Sequence, residues 1–146
     1  MNPEVQPAAP EVIGVGVDLV ENRRMQDALA KWGDSLLNRL FTTAEIAYCE
    51  KQAAPWRHYA GRFALKEAVA KAFGTGIGQA VHWRDIEVIR SSAGAPQIRL
   101  HGRAARHARS RGVRRILVSL AHTHQYSLAQ AVILGHTAIS ARERQS

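Results

Sequence analysis

Gly61-Arg62-Phe63-Ala64-Leu65-Lys66-Glu67-Ala68-Val69-Ala70-Lys71-Ala72-Phe73-Gly74-Thr75-Gly76-Ile77-Gly78 is the stretch on which the reading of this chain turns. Its Ala, Leu, Val and Phe recur at helical spacing, which predicts a long helix from about Arg57 to Phe73, and Gly74 supplies the left-handed residue on which helices often end. Glu67 and Lys71 stand four apart, so both lie on one helical face, with Phe63 one turn earlier on the same stripe. Taken alone, they read as a surface ion pair worth about 0.3–0.5 kcal/mol. The loop beyond shifts the balance, because Gly74, Gly76 and Gly78 let backbone amides approach an anion such as a diphosphate without a Cβ in the way. That loop follows a helix C-terminus, whose dipole disfavours anions, so Lys71, Arg62 or a metal must help.

Upstream, Val12, Ile13, Val15 and Val17, with Gly14 and Gly16 between them, predict a short strand ending in Asp18, where a carboxylate is held rigidly. Residues 20–32 read as a helix with Arg23, Arg24 and Lys31 on its polar face, Met25, Leu29 and Trp32 inward, and Gly33 as its stop. Thr42 or Thr43 caps a helix starting near Ala44, and Pro55 marks its far boundary. Downstream, residues 85–90 and 97–100 alternate polar and apolar across a turn, a hairpin signature. Residues 103–111 form an arginine-laden helix closed by Gly112, and Arg115–Leu120 and Leu128–Leu134 read as core strands. The sum is an α+β fold, with helices, one of them long, covering one side of a mostly antiparallel sheet.

A length of 146 residues suits one hydrophobic core. The expected organisation is a flexible proline-bearing lead-in over residues 1–11, one domain over residues 12–135, and a polar tail over residues 136–146. Aromatic residues make up 6% of the chain against 46% hydrophobic overall, so the core must be mainly aliphatic. Lys and Arg number 20 against 12 Asp and Glu, a net charge of +8 that draws anionic partners without choosing among them. The run Arg103, Arg106, Arg109, Arg111, Arg114 and Arg115 has no interleaved aromatic residues, so it reads as a solvated basic face and no nucleic acid partner is expected. The lone Cys49 allows no intrachain disulfide and points to a reducing, cytoplasmic setting. With no apolar run near the roughly 20 residues needed to span a bilayer, no membrane partner is expected either.

Four collinear blocks resemble one family, the small holo-acyl-carrier-protein synthases among the 4′-phosphopantetheinyl transferases. They are Ile13-Gly14-Val15-Gly16-Val17-Asp18-Leu19-Val20-Glu21, Phe41-Thr42-Thr43-Ala44-Glu45, Arg62-Phe63-Ala64-Leu65-Lys66-Glu67-Ala68 running into Gly74-Thr75-Gly76-Ile77-Gly78, and Ser119-Leu120-Ala121-His122-Thr123. The resemblance runs from about Val12 to Leu134. It implies the phosphopantetheinyl transferase fold and transfer of the 4′-phosphopantetheine arm of coenzyme A to a serine of apo acyl carrier protein, in support of fatty acid biosynthesis.

By the same resemblance Asp18 and Glu67 are the magnesium ligands, and oxygen donors are what that hard cation takes. Lys71 lies beside the diphosphate, and Asp18, Glu67 and Lys71 form the catalytic set. Arg62, Gly74, Thr75, Gly76, Pro96 and His122 belong to the coenzyme A pocket. Arg24, extended by Arg23, faces the acidic carrier protein. The implied assembly is a homotrimer with active sites between subunits. The serine proton goes to Glu67 or Asp18 through a water on the metal, two alternatives the sequence leaves open. Ala121 and Ala95 depart from the family's usual hydroxyl and lysine, and each removes a side chain able to contact phosphate. A rival from another class, a non-catalytic basic module binding acidic protein or RNA, uses the charge alone.

Overall fold

The computed structural model describes residues 8–78 and 80–136. Of the expected lead-in and tail, residues 1–7 and 137–146 lie outside the described residues. In chain order the elements are β1 (Glu11–Glu21), α1 (Asn22–Leu40), α2 (Thr43–Glu50), α3 (Pro55–Ala72), a 3-10 turn at Trp83–Asp85, β2 (Ile86–Arg90), β3 (Pro96–Leu100), α4 (Gly102–Ser110), β4 (Val113–His122) and β5 (Tyr126–Gly135). They form an antiparallel sheet in the order β1-β5-β4 and a separate antiparallel hairpin, β2-β3.

The long helix lies across the inner face of the three-stranded sheet, and small residues on both sides explain how closely. On β5, Ser127, Ala129, Ala131 and Ile133 are buried, while the alternate Leu128 and Gln130 are exposed, the period-two pattern of a half-covered strand. On β1 the positions facing the helix are Gly14 and Gly16. A Cβ at Gly14 would stand 2.0 Å from the Ala72 carbonyl oxygen, and one at Gly16 2.0 Å from that of Ala68. Both glycines are therefore required for α3 to seat on β1, and the seating aligns Lys71 with Asp18. Ala64, Leu65, Ala68, Val69 and Phe73 then pack with Val81, Ile86, Val88 and the β5 alanines in the aliphatic core.

A second apolar cluster joins Met25, Leu40, Phe41, Cys49 and Tyr59 under α1 and α2, with the Phe41 and Tyr59 rings 4.9 Å apart. Between the clusters runs a buried polar network. Thr42 caps α2 by accepting from the Glu45 amide, and Glu45 Oε1 in return accepts from the Thr42 amide, a reciprocal capping box. The same oxygen receives Lys66 Nζ at 2.6 Å, with both side chains essentially inaccessible. Lys66 Nζ also donates to the Trp83 carbonyl at 3.0 Å, and the Val88 amide donates to Glu45 Oε2 at 2.9 Å. Burial lowers the Lys66 pKa against the pull of Glu45. The second and third sequence blocks thus meet in one ion pair whose partners are both satisfied, which is what burying charge demands.

Several boundaries differ from the sequence reading. The first strand does not end at Asp18; it pairs with β5 as far as Glu21 opposite Tyr126, which leaves Asp18 inside the strand. Gly33 does not end the first helix. It adopts φ 53°, ψ −134° and breaks the helix, which resumes because Leu36, Leu37 and Leu40 have the second cluster to pack on. Trp32 is not inward but 57% exposed, with Lys31 Nζ 4.9 Å above its ring. Pro55 lies beyond α2 and also opens α3, in the first turn where its missing N–H has no intrahelical partner to lose. The last two strands are longer than expected at both ends, because each has a partner over the extra residues.

Among the described residues, nothing covers the face of the β1-β5-β4 sheet away from α3, and that face is apolar. Val15 is 63% exposed, Leu19 60%, Val17 57%, Leu128 43% and Leu117 41%.

Candidate active site

Two of the expected acidic residues reach the same place from separate elements. Asp18 of β1 and Glu67 of α3 both line a cleft of about 500 Å³, together with Arg24, Met25 and Leu36 of α1, Phe63 of α3, and Trp83. The cleft is apolar along its α1 side and acidic where the strand and the long helix meet. Lys71 does not pair with Glu67, although the two are four apart on α3. Its Nζ donates to Asp18 Oδ1 at 2.8 Å and to the Val17 carbonyl at 3.1 Å, and its side chain stays half exposed. Glu67 Oε1 instead accepts from the Trp83 indole Nε1 at 2.7 Å. The Arg39 guanidinium lies 5.4 Å from the Trp83 ring centroid.

A second group gathers on the other side of α3. Arg62 is buried, with its guanidinium 4.1 Å from the centre of the Tyr48 ring, while Arg90 lies 5.2 Å from the same ring and bonds the Tyr48 hydroxyl. His58 packs edge-on against Tyr48 at 5.9 Å. Pro96 opens β3 opposite Arg90, which places the hairpin turn beside this group. The buried Nε of Arg62 has no hydrogen-bond partner among the described residues, and no carboxylate pairs with it. At about 100° per residue, Arg62 and Glu67 point about 140° apart around α3.

His122 ends β4 beside Gly61 of α3, where a Cβ would come within 2.9 Å of the imidazole Cε1. Its Nδ1 is 3.2 Å from Ser127 Oγ, and Ser127 Oγ donates to Asn22 Oδ1 at 2.8 Å. Because the serine proton is committed to Asn22, the neutral imidazole must donate from Nδ1, which leaves Nε2 as an acceptor. Loss of water beside Gly61, then the Arg62 charge, lowers the His122 pKa; His58 is lowered by burial, then by Arg62, His122 and Arg90.

In the glycine loop, Gly74 and Gly76 have φ of 80° and 63°, so a side chain there is strained although the space is open. The amides of Gly74, Gly76 and Gly78 donate to the carbonyls of Lys71, Ala70 and Val81. These three glycines shape the loop, then, while their own N–H groups are already committed.

A family model described as the 4′-phosphopantetheinyl transferase superfamily matches residues 14–131, which takes in the cleft, the second group and most of both sheets. The chain belongs to this transferase superfamily. Among its curated relatives, the holo-[acyl-carrier-protein] synthase of Solibacter usitatus is 43% identical over 122 residues, covering 84% of this chain and 98% of that protein. That of Chlamydia pneumoniae is 44% identical over 125 residues, covering 85% and 98%. Among solved structures, holo-[acyl-carrier-protein] synthase from Neisseria meningitidis superposes with a TM-score of 0.80 at 30% identity, over 84% of this chain and 98% of that one. The Helicobacter pylori enzyme in complex with coenzyme A gives 0.72 at 28% identity, over 82% and 98%.

Within this transferase the residues singled out from sequence fall into two sets rather than one. Asp18, Glu67, Arg24 and, through Asp18, Lys71 belong to the cleft, with Gly74, Thr75 and Gly76 following Lys71 in the chain. Arg62, His122 and Pro96 belong with the second group. Arg23 lies apart from both, in a polar hollow with Asp27, Trp56 and His124. Sequence reasoning missed Trp83, Tyr48, His58 and Arg90. Trp83 carries a faint signal, an aromatic residue in the polar run His82–Asp85; Tyr48 and Arg90 stand 42 apart with no periodicity to join them.

Proposed function

We propose that this transferase moves the 4′-phosphopantetheine arm of coenzyme A onto a serine of an apo acyl carrier protein, giving holo carrier protein and 3′,5′-ADP. The observation that carries the reading is the meeting of Asp18 and Glu67 on one cleft, with Lys71 bonded to Asp18. In the reaction the serine oxygen attacks the β-phosphorus in line with the departing 3′,5′-ADP, so one P–O bond forms as another breaks. No covalent bond to the enzyme is needed, and catalysis is positioning and neutralisation of charge. Lys71, half exposed and on two acceptors, is the cation able to swing onto an oxygen of the leaving group and stabilise or protonate it. Glu67 or Asp18 receives the serine proton.

The donor set also fits magnesium. Asp18 and Glu67 are hard oxygen donors facing one cleft, and among the described residues no three His, Cys, Asp or Glu side chains converge, so water and diphosphate oxygens must complete the shell. When bound there, the ion supplies neutralisation of the diphosphate charge.

The second group completes the site from a neighbouring copy. Arg62 and Glu67 point too far apart around α3 for one chain to close both around one ligand. The uncovered apolar face over β1, β4 and β5 is the surface on which a homotrimer assembles, and exposed patches of this kind mark interfaces. Arg24, on the cleft wall, meets the acidic carrier, and Arg23 extends that basic surface from outside the cleft. We assign the protein to the cytoplasm on its lone thiol, Cys49, whose pKa is pushed up to about 12 by burial, leaving it neutral and enclosed. No helix among the described residues is long and apolar enough to cross a membrane.

The test is to mix protein, magnesium, coenzyme A and several apo carrier proteins and weigh the carriers. A mass gain of one pantetheine arm is expected, with loss of that gain in Glu67→Gln. Near-normal transfer by E67Q rejects the role given to Glu67, and unmodified carriers throughout reject the activity.

A further inference from the structure

We propose that Trp83 is a positioning residue whose indole N–H holds the Glu67 carboxylate ready for the divalent cation; this rests on the reading of Glu67 as a ligand. The indole Nε1 donates to Glu67 Oε1 at 2.7 Å. A fixed donor on one oxygen takes away the carboxylate's freedom to turn and leaves Oε2 for the ion. Groups that orient a ligand in this way are worth on the order of 10-fold or more in metal affinity.

Trp83 is itself held at two further points. Its carbonyl accepts from Lys66 Nζ at 3.0 Å, and Lys66 is anchored on Glu45 Oε1 at 2.6 Å, so the backbone of the 3-10 turn is tied to the buried polar network. Its ring carries the Arg39 guanidinium at 5.4 Å, a cation over the π face that draws electron density and strengthens the N–H as a donor. Lys66 and Glu67 are adjacent on α3, so one Trp residue receives a donor from the first and gives a donor to the second. The helix, the turn and the carboxylate are locked together by that exchange. A phenyl ring at position 83 would keep the packing against the cleft and lose the donor, which makes the hydrogen bond separable from the fold.

Trp32 and Trp56 lie outside the cleft, so W32F/W56F leaves Trp83 as the one fluorescent indole. Titrating this double variant with magnesium alone is expected to give a saturable change in Trp83 emission, absent when E67Q is added to it. In W83F, direct manganese binding by electron paramagnetic resonance and the magnesium half-saturation of transfer should both weaken about 10-fold. At saturating magnesium the KM for coenzyme A should hold, and so should the melting temperature within a few degrees. Wild-type metal affinity in W83F, or Trp83 emission blind to magnesium, overturns the proposal. If W83F fails to fold, the fluorescence arm still decides. Should E67Q bind manganese as the wild type does, Glu67 is no ligand and that reading fails first; should E67Q lose the metal while W83F keeps it, only the role of Trp83 is lost.

Discussion

The two sides of α3 differ in a way that no summed charge conveys. One side presents Glu67 to a cleft shared with Asp18, where Trp83 donates to Glu67 and Lys71 to Asp18. The other presents Arg62 to a cluster of Tyr48, His58 and Arg90, and among the described residues its buried Nε has no hydrogen-bond partner. The Tyr48 ring offsets part of the cost of burying the Arg62 charge, and an arriving anion would offset more. On the proposed reading, the first side takes the cation and the reacting phosphate, and the second takes a phosphate of the ligand bound to a neighbouring copy. On the same reading they are two half-sites on opposite faces of one helix, joined when copies of the chain lie side by side.

The largest effect follows from breaking each half in a different chain. Lys71→Ala and Arg62→Ala should each lower kcat/KM by about 100-fold, since each removes a cation from the developing or bound phosphate charge, an effect of roughly 3 kcal/mol. Unfolded together and refolded as a mixture, the two variants should recover activity, because about a quarter of the interfaces in a cyclic assembly then join an intact Lys71 side to an intact Arg62 side. A mixture no more active than its parts, or a fully active monomer by light scattering, would place the whole site within one copy.

How much of this was legible in the sequence depends on whether a feature has its cause nearby. The period of α3, the hairpin of β2 and β3, and the capping Thr42 are local, and they could be read off. Gly14 and Gly16 looked like small spacers in a strand; only the approach of Ala68 and Ala72 shows why they must be glycine. The partner of Lys71 lies 53 residues away on β1, not four away on its own helix, and that pairing exists because the glycines let the elements meet. The 140° between Arg62 and Glu67 was available from helical geometry, but it gains meaning only once the cleft and the Tyr48 cluster stand on either side. The ends of β1, β4 and β5 are set by their partners, so single-strand patterns stopped short.

A middle-sized effect tests the seating itself. Gly16→Ala puts a Cβ 2.0 Å from a backbone oxygen that cannot turn aside, so the helix must lift off β1. About 3 kcal/mol of stability should go, at the upper end of overpacking costs, and the melting temperature with it. The disturbance should separate Lys71 from Asp18 before it reaches Arg62. Gly76→Ala meets no neighbour but must adopt φ 63°, at a cost of about 1–2 kcal/mol. Equal losses in the two variants would mean that α3 does not rest on those glycines.

The smallest effect sharpens the contrast through pH. His58 and His122 both have lowered pKa values, through burial first and then neighbouring positive charge, so the folded chain takes up these protons less readily than the unfolded one. The stability they contribute is complete above the ordinary value of 6.5 and is lost progressively as the pH falls through it towards the folded values. The melting temperature should therefore decline by a few degrees between pH 7.5 and 5, and His58→Gln should flatten part of that slope. A bound phosphate reverses the penalty by giving the protons a countercharge, and His122, an acceptor at Nε2 while neutral, then becomes a donor there. Stabilisation by coenzyme A should consequently be greater at pH 5.5 than at pH 7.5, which differential scanning fluorimetry can read. A gain that is the same at both pH values would detach the histidines from the ligand and leave Arg62 to hold the phosphate without them.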